Sequence, residues 1–132
     1  MVSETALFET DISELERIGR GKVRDIYAVG ADHMLIIATD RISAFDVVLP
    51  DPIPGKGEVL TALSEFWFDQ TEGIVPNHRS AMTLEQAVSD SQTRALIGSR
   101  ASVVRRLKPL PIEAIVRGYL IGSGWKDYRA TG

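Results

Sequence analysis

The sequence predicts an α+β domain built on a mostly antiparallel sheet. Three observations carry this. Short apolar or alternating stretches at 15–20, 22–29, 33–40 and 101–107 have the length and composition of strands. A single long stretch, 58–73, has its apolar residues at helical spacing. Strands and helices do not alternate as regular βαβ units, which disfavours a parallel sheet. The length, 132 residues, suits about one domain with a real core.

Taken in chain order, residues 3–9 are expected to form a short helix after Ser3, anchored by Ala6 and Leu7. Residues 15–20 and 22–29 form two strands around Gly19 and Gly21. "HMLIIATD", 33–40, is a continuous apolar run that suits a strand buried on both faces. "VVLPDPIPGKG", 47–57, is broken by prolines and fits an edge strand or loop. The helix at 58–73 places Val59, Leu63, Phe66 and Trp67 together and ends on Gly73. "SDSQTRALIGSR" fits no single element. "ASVVRRL", 101–107, and "PIEAIVRGYL", 111–120, fit strands, and a helix starts at "GWKDYRA".

Composition excludes several classes. Net charge is −3, so an anion must be met by a local cluster of cations rather than by the whole surface. No basic–aromatic array accompanies it, which disfavours nucleic-acid binding. There are no cysteines, hence no disulfide or thiolate metal site. The start, "MVSETALFETDIS", lacks a signal-peptide pattern, and no apolar run is long enough to span a bilayer. A cytoplasmic protein is expected.

Four stretches could carry chemistry. In "GRGKVRDIY", 19–27, strand alternation would put Arg20, Lys22 and Arg24 on one face and Val23, Asp25 and Tyr27 on the other. A cationic face beside glycines suits a polyphosphate, but the Walker and dinucleotide patterns both fail here. A solvated hairpin and a phosphate cradle both remain open. "TDRISAFD", 39–46, offers Ser43 and Asp46 at the end of a buried strand, or simply a polar turn. "PGKGE", 54–58, puts Lys56 at a helix start, where a cation opposes the macrodipole unless an anion binds. In "LPIEAIVRGYLIGSGWKDY", 110–128, Arg117 and a helix-capping Ser123 could form a monophosphate site. Alternatively, Arg117 pairs with an acid such as Glu113. His33 and His78 lack metal-ligand spacing and read as turn residues, and Trp67 and Phe68 read as helix packing.

Together "GKVRDIY", "DRISAFD", "IPGKG…LSEFWF" and "RRLKPLPIEAIVRGYLIGSGWKDY" resemble, in the same order, the SAICAR synthetase family. This is the phosphoribosylaminoimidazole-succinocarboxamide synthase family of purine biosynthesis. The resemblance runs from about Gly19 to Gly132, with one departure at Ile121, where many members have a small residue. It implies a two-lobed, kinase-like or ATP-grasp-like α+β fold, of which 1–107 would be the N-terminal nucleotide-binding lobe. Residues 108–132 would be the link and the beginning of the second lobe.

The implied reaction joins L-aspartate to the carboxylate of carboxyaminoimidazole ribonucleotide (CAIR), with ATP giving ADP and phosphate by way of an acyl phosphate. By position, Gly21, Lys22 and Arg24 match the hairpin over the ATP phosphates. Arg106, Leu107 and Lys108 match the segment bordering the adenine. Ser43, Asp46 and Lys56 match the catalytic cleft that meets CAIR and aspartate, and Arg117 and Ser123 match the ribonucleotide phosphate site. Glu113 is a signature residue that would orient Arg117 or Lys22. The family's later signature and its acidic Mg²⁺ loop have no counterpart in these 132 residues. The resemblance therefore implies metal ligands elsewhere, no turnover by this chain alone, and apolar surface open to self-association. A non-catalytic nucleotide- or phosphate-binding module is the alternative.

Overall fold

The computed structural model describes residues 5–112 and 114–132. Four strands make one antiparallel sheet: β1 (Arg17–Arg20), β2 (Arg24–Val29), β3 (His33–Ala38) and β6 (Ala101–Arg105), in the order β1-β2-β3-β6. Register slips between Arg17 and Gly19 on β1, so the edge strand bulges there. β4 (Ser43–Ala44) and β5 (Val47–Val48) form a separate minimal hairpin. The helices are α1 (Lys56–Thr71), α2 (Leu84–Ala87), α3 (Ser91–Ile97) and α4 (Gly122–Thr131), with one 3-10 turn at Gly98–Arg100.

The sheet's period of two divides its faces. Tyr27, Val29, Leu35 and Ile37 alternate along β2 and β3 and are buried together with Ile12, Ala87, Val88 and Ile97. The segment around α2 and α3 thus covers this face. A capping box at Thr83 and Gln86 starts α2, and Asp90 caps α3 through the amides of Gln92 and Thr93. The opposite face carries Arg24, Ile36, Ala38, Ser102 and Val104 and looks toward α1. β3 is therefore half-buried on this side rather than enclosed on both.

Gly57 explains how α1 is seated. A Cβ there would lie 2.0 Å from the carbonyl oxygen of Ala38, so the first turn of the helix can touch β3 only with glycine. The helix begins at Lys56, two residues before the sequence pattern suggested.

Two expected elements are absent from their places. The helix expected over 3–9 falls partly outside the described residues, and 5–9 are not helical. Instead Leu7 is tied to Asp40: its N–H donates to Oδ2 at 2.7 Å and its carbonyl accepts from the Asp40 amide at 2.8 Å. The strand expected over 111–120 does not form among the described residues; Ile112, Ile115, Val116 and Tyr119 are exposed and join no ladder. β-branched residues favour strands only where a neighbouring strand receives them.

Candidate active-site cleft

The turn between β1 and β2 is held from beneath by Arg41. Its guanidinium donates to the carbonyls of Lys22 at 3.0 Å, Gly21 at 3.1 Å and Phe8 at 2.5 Å, and to the Asp25 carboxylate at 2.9 Å. Asp25 also accepts from the amide and hydroxyl of Thr10, and Tyr27 completes this buried group through Thr10. Burial pushes the Asp25 carboxyl up, but the bonds from Arg41 and Thr10 outweigh it and hold the group below its ordinary range.

This arrangement corrects the expected cationic face. Arg20 turns away to Asp25 at 3.0 Å, Glu9 at 2.6 Å and the Thr10 carbonyl at 2.8 Å. Val23 lies with Arg24 rather than with Asp25 and Tyr27, because residues 21–23 are a turn and strand alternation does not run through them. Lys22 pairs with Asp46, and Arg24 faces the space under the sheet.

That space is a cavity of about 350 Å³ between the sheet and α1. Ile36, Ala38, Leu60, Phe68 and Val104 give it an apolar lining, and Arg24 and Lys56 contribute two cations. Burial pushes the Lys56 ammonium below its usual pKa; nearby Arg24 and Arg41 add to this and Asp40 opposes it. On the same cavity, Arg79 is anchored to Asp69 at 2.6 Å and Glu65 at 3.2 Å and lies over the Phe68 ring. His78 meets Phe68 edge to face. His33 is the first residue of β3 rather than a turn residue. Trp67, expected to pack, is largely exposed.

The start of α1, which carries Lys56, is held in place by Asp40. The Asp40 carboxylate accepts from the Gly57 amide at 2.8 Å and from Arg100 at 2.7 Å, and Arg100 reaches on to Glu58 at 2.5 Å. Burial raises the Asp40 carboxyl, but the Gly57 amide, Arg100 and the Leu7 amide together bring it below the ordinary value. Asp40 thus ties the N-terminal segment, the end of β3 and the start of α1 together.

Of the other residues singled out, Ser43 pairs with Val48 across the small hairpin, and Asp46 sits at its tip. Leu107 borders a second cavity with Phe68, Asn77, His78 and Arg105. The Arg106 amide bonds to the Asp32 carbonyl at 2.7 Å, and Lys108 is exposed. Arg117 donates to the Ile121 carbonyl at 2.7 Å and reaches Ser123 Oγ at 3.4 Å. Ser123 does not cap α4: Ile121 holds the cap position and Ser123 lies in the first turn. Gly122 has φ +62°, and a Cβ there would approach the Arg117 guanidinium to 2.6 Å. Glu113 lies outside the described residues. Among the described residues, no three carboxylate or imidazole groups converge as metal ligands.

Comparison with known proteins decides the family. Residues 17–131 match SAICAR synthetase. The chain belongs to the SAICAR synthetase family. It is 64% identical over 126 residues to the phosphoribosylaminoimidazole-succinocarboxamide synthase of Thioalkalivibrio sulfidiphilus, covering 96% of this chain and 43% of that protein. With the Methylococcus capsulatus synthase it shares 58% over 132 residues, all of this chain and 44% of the relative. The solved SAICAR synthase from Saccharomyces cerevisiae complexed with SAICAR superposes with a TM-score of 0.87 at 41% identity, covering 96% of this chain and 46% of that one. The chain thus spans less than half the length of these relatives.

Within this SAICAR synthetase unit, sequence reasoning missed Asp25, Asp40, Arg41 and Arg100. A signal existed for three of them. Asp25 interrupts a strand at a position of buried parity, and Asp40-Arg41 follow a buried strand directly. Charged residues at such positions stay only when paired. Arg100, distant in sequence, gave no comparable signal.

Proposed function

We propose that this chain supplies the nucleotide-binding part of an ATP-dependent carbon–nitrogen ligase of purine biosynthesis. The reaction joins the amine of L-aspartate to the carboxylate of CAIR, yielding ADP and phosphate, in a cytoplasmic setting. Residues 1–107 are the nucleotide-binding lobe and 108–132 begin the second. The observation that carries this reading is the apolar cavity under the sheet with Arg24 and Lys56 on its wall. Beside it lies the turn bearing Lys22, fixed by Arg41. An apolar slot beside convergent cations suits a base with a phosphate chain.

A carboxylate is a poor electrophile, because its negative charge repels the incoming lone pair of the amine. Phosphoryl transfer to one CAIR carboxylate oxygen makes a mixed anhydride, and the aspartate nitrogen then forms the new bond as phosphate leaves. The protein's share is orientation and charge neutralisation. Lys22 and Arg24 neutralise the phosphates, with the glycine at 21 letting them approach the backbone. Arg106, Leu107 and Lys108 border the base. Ser43, Asp46 and Lys56 face CAIR and aspartate, and Arg117 with Ser123 holds the ribonucleotide phosphate. Mg²⁺ would add further charge neutralisation on the phosphates, with its protein ligands expected in the part of the family fold beyond these residues, and no step is assigned to it.

Two measurements test the proposal. Calorimetric titration should detect ATP binding that Lys22→Ala and Arg24→Ala each weaken; unchanged affinity in both refutes the nucleotide assignment. With ATP, CAIR and aspartate, coupled detection of ADP should find no turnover by the 132 residues alone. Rates like those of a full-length relative would refute the division of labour.

A further inference from the structure

We propose that the Lys22–Asp46 ion pair is a latch that a phosphate chain opens, freeing the β4–β5 hairpin. The inference rests on Lys22 being a phosphate contact. The pair joins two turns 24 residues apart in sequence, and the two sides are unequally supported. On one side, Arg41 fixes the carbonyls of Gly21 and Lys22, so this turn stays in place when its ammonium changes partner. On the other side, each strand of the hairpin is two residues long. Its tip forces two side-chain-bearing residues into left-handed backbone, Phe45 at φ 50° and Asp46 at φ 67°. A two-residue hairpin loop closed by Ala44 and Val47 requires this backbone at both positions, which aspartate tolerates and phenylalanine disfavours. The Phe45 ring is fully exposed and supplies no packing. Asp46 and its ion pair are therefore the tip's link to the rigid turn.

A phosphate chain reaching Lys22 changes this balance. Its oxygens compete for the same ammonium and repel the Asp46 carboxylate. The anion thus favours the state in which the pair is broken, and by linkage the intact pair weakens anion binding by the same factor. Loss of Asp46's charge should tighten binding, and anion binding should loosen the hairpin.

The test uses the 132-residue chain and inorganic tripolyphosphate at low ionic strength. Affinity is measured by calorimetry and the hairpin is followed through the amide NMR signals of residues 43–48. Tripolyphosphate should shift those signals. Asp46→Asn should bind about two- to fivefold tighter, the range expected from an exposed ion pair. Its free-state hairpin signals should resemble those of anion-bound wild type. The gain must vanish when Lys22→Ala is added, which separates a latch from a general change in surface charge. If Lys22→Ala weakens binding but Asp46→Asn does not tighten it, or the hairpin signals stay fixed, the latch is wrong and the phosphate contact stands. If Lys22→Ala binds like wild type, the phosphate contact itself fails and the latch with it.

Discussion

Arg41 Nη2 donates to Asp25 Oδ1 at 2.9 Å, with both side chains buried. The same guanidinium holds the backbone of the β1–β2 turn. Arg41→Ala would leave a buried carboxylate and the carbonyls of Phe8, Gly21 and Lys22 short of a donor. Removing one member of a buried pair costs about 3–5 kcal/mol. Urea unfolding should show a loss of this order for Arg41→Ala. Arg41→Lys should recover only part of it, since an ammonium cannot span the same fork. A loss typical of a surface substitution would contradict the proposed role of Arg41 under the turn.

Acid should unfold the chain through the same groups. Asp25 and Asp40 are both held below the ordinary carboxyl range, so the folded state binds their protons more weakly than the unfolded state, where aspartate titrates near pH ~3.9. The stability they confer is complete above that value. It is lost as pH falls through it toward the lower folded-state pKa values. The urea midpoint should therefore decline below about pH 5, and Asp25→Asn should show a shallower decline. A flat midpoint from about pH 5 to about pH 3 in the wild type would count against both carboxylates.

Gly57→Ala tests the seating of α1. The added methyl would meet backbone, the Ala38 carbonyl, which cannot rotate away. Overpacking of this kind costs about 1–3 kcal/mol or more. Gly73→Ala, where nothing lies within 4 Å, serves as the control and should be close to neutral. Equal stability of the two variants would mean that α1 is not held against β3 as described.

These residues also mark what the sequence could and could not reveal. β2, β3 and α1 were legible as elements, but burial followed the pattern only on the sheet, at Tyr27 and Val29 and at Leu35 and Ile37; the apolar residues at helical spacing on α1, Val59, Leu63, Phe66 and Trp67, are exposed. Strand parity failed at Arg20 and Val23 because a turn interrupts it, and this reassigned one of three expected phosphate-facing cations. The stretch 111–120 read as a strand from its Ile and Val content alone, yet pairing depends on a partner strand. Within the candidate site, the cations on the cavity wall, Arg24 and Lys56, were singled out by residue type and resemblance. The buried acids beneath them were not, because their meaning lies in partners 15 to 60 residues away, such as Thr10 for Asp25 and Arg100 for Asp40.

Arg117 and Lys22 should respond to different ligands. In a chain completed with the remaining part of a relative, Arg117→Ala should weaken the ribonucleotide by about tenfold or more, the range for a charged hydrogen bond, and ATP by less. Lys22→Ala should show the opposite order. Equal losses for both ligands in Arg117→Ala would make that residue a support for Ile121 and Ser123 rather than a ligand contact.

The two tryptophans of the chain, Trp67 on α1 and Trp125 on α4, both face outward. Neither belongs to the buried cluster around Tyr27 and Leu35. Intrinsic fluorescence of the folded chain should consequently be water-like in colour and change little when the core melts. It should shift to the blue when another protein surface covers α1 or α4, which makes the native chromophores reporters of assembly rather than of folding.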